Sequence, residues 1–351
     1  MPQTFHHNDE PRAEEGQRGY TPYLYIPYNG TDTGNRPLGP NIKFWGSPHI
    51  AVSHTDQYGN VVPGQPITIT ARVFNGGLKP ALPFITVQFF VFNSSLAFTT
   101  ANSLFTATIQ PTKQIPSKGY IEVSSPTPWI PEPVENGHPC IVVQCSTPEE
   151  GTDSLKFPFF AALDRHVAQR NMTVANPVAG QKLILHAGNP FHQSLPCTLR
   201  VSSLLIHGKF EELRRTDVGT LMTLLANVQP GAPGNLLEQR LEVRTKDISG
   251  EGLDVRLEQI EHQDVPGDQG EVITLDRYLQ QRMQSDPNFD PQSLGKVLGE
   301  FVLEPRTANN LLIAVAPTDL GGADYIVHHF TQVVENCPIG GYTLVVPPMN
   351  F

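Results

Sequence analysis

Hydrophobic and polar residues alternate along most of this chain. Ile67, Ile69, Ala71 and Val73 fall on one face of an extended segment, and Thr68, Thr70 and Arg72 on the other. A period of two marks a half-buried strand, because successive side chains point to opposite faces. Asn75-Gly76-Gly77 follows and supplies the positive φ that a chain reversal needs. The next strong strand spans 84–92, with Ile85, Val87, Phe89 and Val91 on its inner face. Phe90 and Phe92 stand on the other face and need a cover of their own. Further strands are expected at 104–109, 120–124, 140–146 and 166–174, with turn clusters between them. Short strands separated by closely spaced turns make a sandwich, placed here at residues 47–176.

The same rhythm restarts at 177. Leu183 and Leu185 alternate with polar neighbours, and Cys197, Leu199, Val201 and Ser203 oppose Thr198, Arg200 and Ser202. The period then changes. Phe210, Leu213, Leu221, Leu224, Leu225 and Val228 fall at helical spacings, with Thr216 or Asp217 as a cap. A second helix is expected at 275–284, capped by Thr274, with Leu275, Tyr278, Leu279 and Met283 on one face. Between them, Leu241/Val243 and Leu253/Val255/Leu257 predict a polar hairpin. Strand patterns return from 297 to 346. The chain therefore reads as mainly β: two sandwiches, the second at 177–351 with a mainly helical insertion at about 208–296.

Residues 1–46 precede the first sandwich as an extended arm rich in proline and tyrosine. Tyr20, Tyr23, Tyr25, Ile26 and Tyr28 give it an apolar load, yet prolines forbid a core of its own. Segment 19–46 is expected to dock on a sandwich face or sheet edge, of this chain or a neighbour, covering surfaces such as Phe90 and Phe92. Residues 1–15 are expected to be poorly ordered.

Composition adds constraints. The 33 prolines favour short elements and many turns. With 39% hydrophobic and 17% charged residues, the chain is no candidate for disorder. A net charge of −10 without a basic run argues against nucleic-acid binding. No apolar run approaches the roughly 20 residues of a transmembrane helix. The N-terminus shows no secretory signal, so synthesis in the cytoplasm is expected and the final compartment stays open. Cys140 and Cys145 lie five apart on one strand and face opposite ways; Cys197 and Cys337 could approach each other.

No catalytic motif stands out, and no cofactor or metal is expected. Asp286-x-Asn288-x-Asp290 opens like a calcium loop but has Pro291 where the loop needs glycine. His138 and Cys140 make at most half a zinc site. His328 and His329 are adjacent on a strand and face opposite ways. His166, beside Asp164, belongs to a polar network at a strand start. Trp129 reads as a core plug and Trp45 as a pin between arm and sandwich; exposed, either would serve as a sugar-stacking platform. Asn29, Asn93 and Asn171 sit in glycosylation acceptors that matter only in a secretory lumen.

One resemblance adds to this. Ser47-Pro48-His49-Ile50, Pro63-Gly64-Gln65-Pro66, the strand ending in Asn75-Gly76-Gly77, Trp129, Gly137-His138-Pro139-Cys140-Ile141 and Asp164 to Asn171 resemble the Ig-like, CARDB-like (cell-adhesion-related) modules of bacterial and archaeal proteins. The resemblance covers about residues 40–175. It extends loosely to the second half through Gln332 and Gly340-Gly341-Tyr342. It implies tandem Ig-like β-sandwiches and a non-enzymatic role in spacing, adhesion or assembly. Three readings follow: a subunit or adaptor with protein partners in a homo- or hetero-oligomer, a glycan- or ligand-binding module, and a hydrolase with its site in the insertion.

Overall fold

The computed structural model describes residues 22–98, 103–132, 139–150, 159–175, 181–216, 218–228, 242–248, 253–255, 262–264, 273–315 and 325–348. Tyr20 and the rest of 1–21, His138, Asp217, Leu241 and Leu257 lie outside them.

The first sandwich contains β1 (Leu24–Tyr25), β2 (Ile50–Val52), β3 (Ile69–Asn75), β4 (Thr86–Phe92), β5 (Ser103–Ile109), β6 (Tyr120–Ser124), β7 (Cys140–Ser146) and β8 (Val167–Arg170). In one sheet β6 lines one edge of β3, while β1 and β2 share the other. The other sheet runs β5-β4-β7-β8, antiparallel throughout. Inward residues of both sheets, among them Ile69, Val73, Val87, Phe89 and Val143, form one core with Trp129. Leu24 and Ile26 of the arm are part of it.

Around β7 neither face of the β4–β7 sheet meets solvent, whereas Leu104, Thr106 and Thr108 of β5 stay exposed. All seven residues of β7 are buried, which alternation alone does not demand. Phe90, Phe92, Cys140 and Val142 point away from the first core into a second cluster. There Phe159 packs on Phe90 at 4.7 Å between ring centroids, and Phe98 on Phe92 at 4.8 Å. The same cluster holds the interior of the second sandwich and arm residues Tyr28, Leu38, Phe44 and Trp45. The cover of Phe90 and Phe92 is thus mostly the second half of the chain, with the arm contributing.

The second sandwich comprises β9 (Met172–Val174), β10 (Gln181–Gly188), β11 (Leu195–His207), β12 (Arg244–Asp247), β13 (Leu253–Val255), β14 (His262–Asp264), β15 (Lys296–Leu303), β16 (Thr307–Val315), β17 (Tyr325–Val334) and β18 (Cys337–Val346). One sheet joins β10, β16, β13 and β14. The other is built on the long β11. Its edge takes β15 along the first half and β12 along the second, and β17, β18 and β9 follow on the other side. The outer face of this sheet is covered by helices α1 (Glu211–Thr216) and α2 (Val218–Ala226), through Phe210, Leu221, Met222 and Leu225.

The chain changes sandwich within one extended run. After β8, Asn171 is fully buried; its amide donates to the Ser95 and Gly341 carbonyls, and its N–H to the Trp45 carbonyl at 2.7 Å. β9 then pairs in parallel with β18. Burial removes Asn171 from the glycosylation acceptors.

In the insertion, helix α3 (Leu275–Gln284) occupies the expected span, and the Thr274 hydroxyl accepts the Arg277 N–H at 3.3 Å. Leu275 and Tyr278 are buried, and so is Arg282, which helical spacing did not point to. The expected hairpin is corrected. β12 pairs with β11 and β13 with β16, in opposite sheets. Alternation marks a strand but does not say which edge it will find.

Candidate interaction surfaces

The arm is held within the chain along both sandwiches. Leu24 and Tyr25 pair with Asn75 and Phe74, and the Tyr23 N–H reaches the Asn75 side chain at 3.0 Å. Tyr23, Ile26 and Tyr28 are buried; Tyr25 is half-buried against Tyr23 and Phe74. Further on, Arg282 donates to the Gly39 carbonyl at 3.1 Å and Ser285 to the Leu38 carbonyl at 3.2 Å. Trp45 donates its indole N–H to Thr343 at 3.0 Å and lies flat on Gly341, where any side chain would meet its ring. Described arm residues named from the sequence, with Phe90 and Phe92, therefore contact this chain and present no large free surface.

A charged latch fixes the first half of the arm. One Glu150 carboxylate oxygen accepts the Leu24 N–H at 2.9 Å and an Arg165 N–H at 3.3 Å. The other meets His166 Nε2 at 3.0 Å, while His166 Nδ1 meets Asp164 at 2.8 Å. Arg165 also donates to the Leu24 carbonyl and lies 4.1 Å from the centre of the Tyr23 ring. Burial works against a charged His166. The bonds to the Asp164 and Glu150 carboxylates outweigh it and push its pKa up to about 9.

Other basic groups shift the opposite way, half-buried His49 of the first sandwich among them, which burial lowers to about 4. His328 bonds to Ser203 at 2.8 Å and His329 to Thr343 at 3.0 Å, on opposite faces of β17. Burial lowers His328 to about 4 and His329 well below its usual value. Lys43 is buried against Ser202 and drops to about 7, Asp247 only partly opposing the loss of water. All four cysteines are free and buried, and burial raises their thiol pKa values. Asp290 caps a short 3-10 helix at Pro291–Leu294. Among the described residues, no group of three His, Cys, Asp or Glu side chains is placed to hold a metal ion. Trp129 and Trp45 are both buried, so neither forms an exposed sugar platform.

Among the described residues, Leu104, Tyr120 and Ile130 are exposed, and five further exposed apolar side chains fall in two groups. The β3–β4 connection exposes Leu78, Leu82 and Phe84, the last at 64%. Ala81, fully buried, bridges Ile115 and holds segment 113–118 beside this loop. Lys79 lies in this loop and Lys113 and Lys118 in the bridged segment, Lys118 donating to the Gly76 carbonyl; neither 78–84 nor 113–118 contains an acid. Glu149, which accepts the Leu82 N–H at 3.0 Å, borders it. The second patch is on edge strand β15. Val302, Glu300 and Val297 oppose Pro196, Thr198 and Arg200, so all three share the face turned away from the sandwich core. A bulge at Leu298 brings Val297 onto that face. Sequence reading passed over both patches: the first lies among prolines, and the second depends on a bulge that alternation does not show.

These features define a mainly β, sandwich-built protein whose described helices are too short or too polar to cross a membrane. No protein-family model matches the chain, and no curated protein matches it. Among solved structures it is similar to the collagen adhesin from S. aureus, at 8% identity over 85% of this chain and 91% of that one, with a TM-score of 0.19. A likeness this slight carries no assignment of activity.

Proposed function

We propose that this chain is a non-enzymatic structural or interaction protein, a subunit or adaptor of a larger assembly that acts through its β-sandwich surfaces. The CARDB-like character of residues 40–175 belongs to this reading. The observation that carries it is the division of labour among side chains. The described charged clusters and buried histidines tie the arm and sandwiches together, while Leu78, Leu82 and Phe84 on one loop and Val297 and Val302 on one edge strand are among the apolar side chains left exposed. Exposed patches of this kind mark interaction sites more often than chance scatter does. The test is the native size of the chain in extracts of cells that produce it, after mild crosslinking. A mass well above the monomer is expected. A chain that runs as a monomer in fresh extract overturns the reading.

A further inference from the structure

We propose that this protein associates head to tail with copies of itself, the apolar, lysine-flanked loop of the first sandwich seating on the β15 face of the second sandwich of another copy. The inference rests on the reading of the chain as an assembly subunit and names its partner.

The two patches are complementary in kind. The loop offers Leu78, Leu82 and Phe84, with Lys79 within it, Lys113 and Lys118 on the bridged segment, and Glu149 as the bordering acid. The β15 face offers Val297 and Val302 around Glu300, with exposed Glu304 two residues past Val302 and half-buried Arg200, which donates to the Gly295 carbonyl, opposite Val297. Lys296 is also exposed on β15, but it opposes Val201 and so belongs to the other face of the strand. Apolar groups thus meet apolar groups, and lysines meet glutamates, in a chain whose net charge of −10 otherwise opposes self-association. Both patches are exposed within one copy, so neither covers the other in cis.

The β15 edge does not invite a two-fold strand pairing. The bulge at Leu298 interrupts it, and a symmetric register that set Val297 against Val302 would also set Glu300 against itself. The contact is therefore heterologous, and repeated addition gives rows of copies in place of a closed dimer. Five apolar side chains make a small interface, so association is weak and rises with concentration.

Light scattering and sedimentation on the full chain across a concentration series test this. The mean mass should rise with concentration at low salt and fall at high salt. Lys79→Glu with Lys113→Glu should hold the chain monomeric over the same range, and so should Glu300→Lys with Glu304→Lys. Mixing these two variants should restore association, in rows where the two alternate, because each head of one then attracts the tail of the other. Leu82→Ser with Phe84→Ser should weaken association by about tenfold or more. Thermal melts close to the parent's show that the variants fold.

The proposal is overturned if the parent stays monomeric at every concentration, if the charge variants associate as the parent does, or if the mixture stays monomeric. Flotation of a monomeric parent with phosphatidylserine vesicles, abolished by the lysine reversals, would also overturn it and assign the loop to anionic lipid. A large native complex in extracts with a purified chain that never self-associates would sink this contact and leave the assembly reading standing. A monomer in both would end both.

Discussion

Both halves of the arm are buried, and they differ in what is added to that burial. Residues 23–26 place Leu24 and Ile26 in the first core and add a charged latch, in which Glu150 serves the Leu24 backbone, Arg165 and His166 at once. Residues 38–45 are fastened to the second sandwich by apolar burial, with Phe44 and Trp45 almost fully enclosed. The cations there, Lys43 and Arg282, find a hydroxyl, a carbonyl and aromatic rings as their close partners. A carboxylate that gathers several donors concentrates its contribution in one side chain, whereas apolar packing spreads it over a surface. The first anchorage should thus respond to charge and pH, and the second to shape.

The largest effect should come from shape. Trp45→Ala removes a buried ring that fills the space over Gly341 and leaves Thr343 without its indole donor. The expected loss is about 3–5 kcal/mol, read by urea unfolding with Trp129 as the remaining fluorophore. A loss below about 1 kcal/mol would show that the apolar anchorage does not depend on this ring. Glu150→Ala comes next, at about 3 kcal/mol, because Arg165, His166 and the Leu24 N–H all lose an acceptor. Limited proteolysis should then cut within 22–28 faster than within 38–46. Equal rates at the two segments would erase the contrast between the anchorages.

The pH profile should separate the same two regions. His166 is raised from 6.5 to about 9 in the folded protein. Its contribution, about 3 kcal/mol, is complete below 6.5 and is lost as pH rises through 9. His328 is lowered from 6.5 to about 4. Its contribution, again about 3 kcal/mol, is complete above 6.5 and is lost as pH falls towards 4. Stability should therefore decline on the acid side, where His49 and His329 are lowered as well. Between 7 and 9 His166 lowers stability as pH rises while Lys43, held at about 7, raises it, so His166→Gln should make the slope there more positive than the parent's. An unchanged slope would mean that His166 does not titrate in this window. The smallest effect is Thr274→Ala, about 1 kcal/mol through the cap of α3, measured by thermal melting. No change in melting would show that helix α3 is held by its packing alone.

Much of the local structure was legible in the chain. Alternation marked β6 and β7 at their observed limits, and helical spacing with Thr274 marked α3 at its own. The opposite facing of Cys140 and Cys145 is seen in their membership of different cores. Less was legible of the surfaces. Tyr23, Ile26, Phe90 and Phe92 signalled a demand for burial, but whether this chain or a neighbour would meet it was left open. Leu78, Leu82, Phe84, Val297 and Val302 gave no signal, because exposure is not a property of a residue type.

What the sequence determined by itself was period, turn and cap: these depend on neighbours a few residues apart, so they are written locally. What only the tertiary structure decided was partnership. β12 and β13 went to opposite sheets, Asn171 became the buried junction between sandwiches, and Glu150 found Leu24, 126 positions away. His166 and His328 carry the same imidazole, yet one is held charged and the other neutral. The reason is physical: burial, charge pairing and edge pairing are set by what comes near in space, and a period of two is blind to distance.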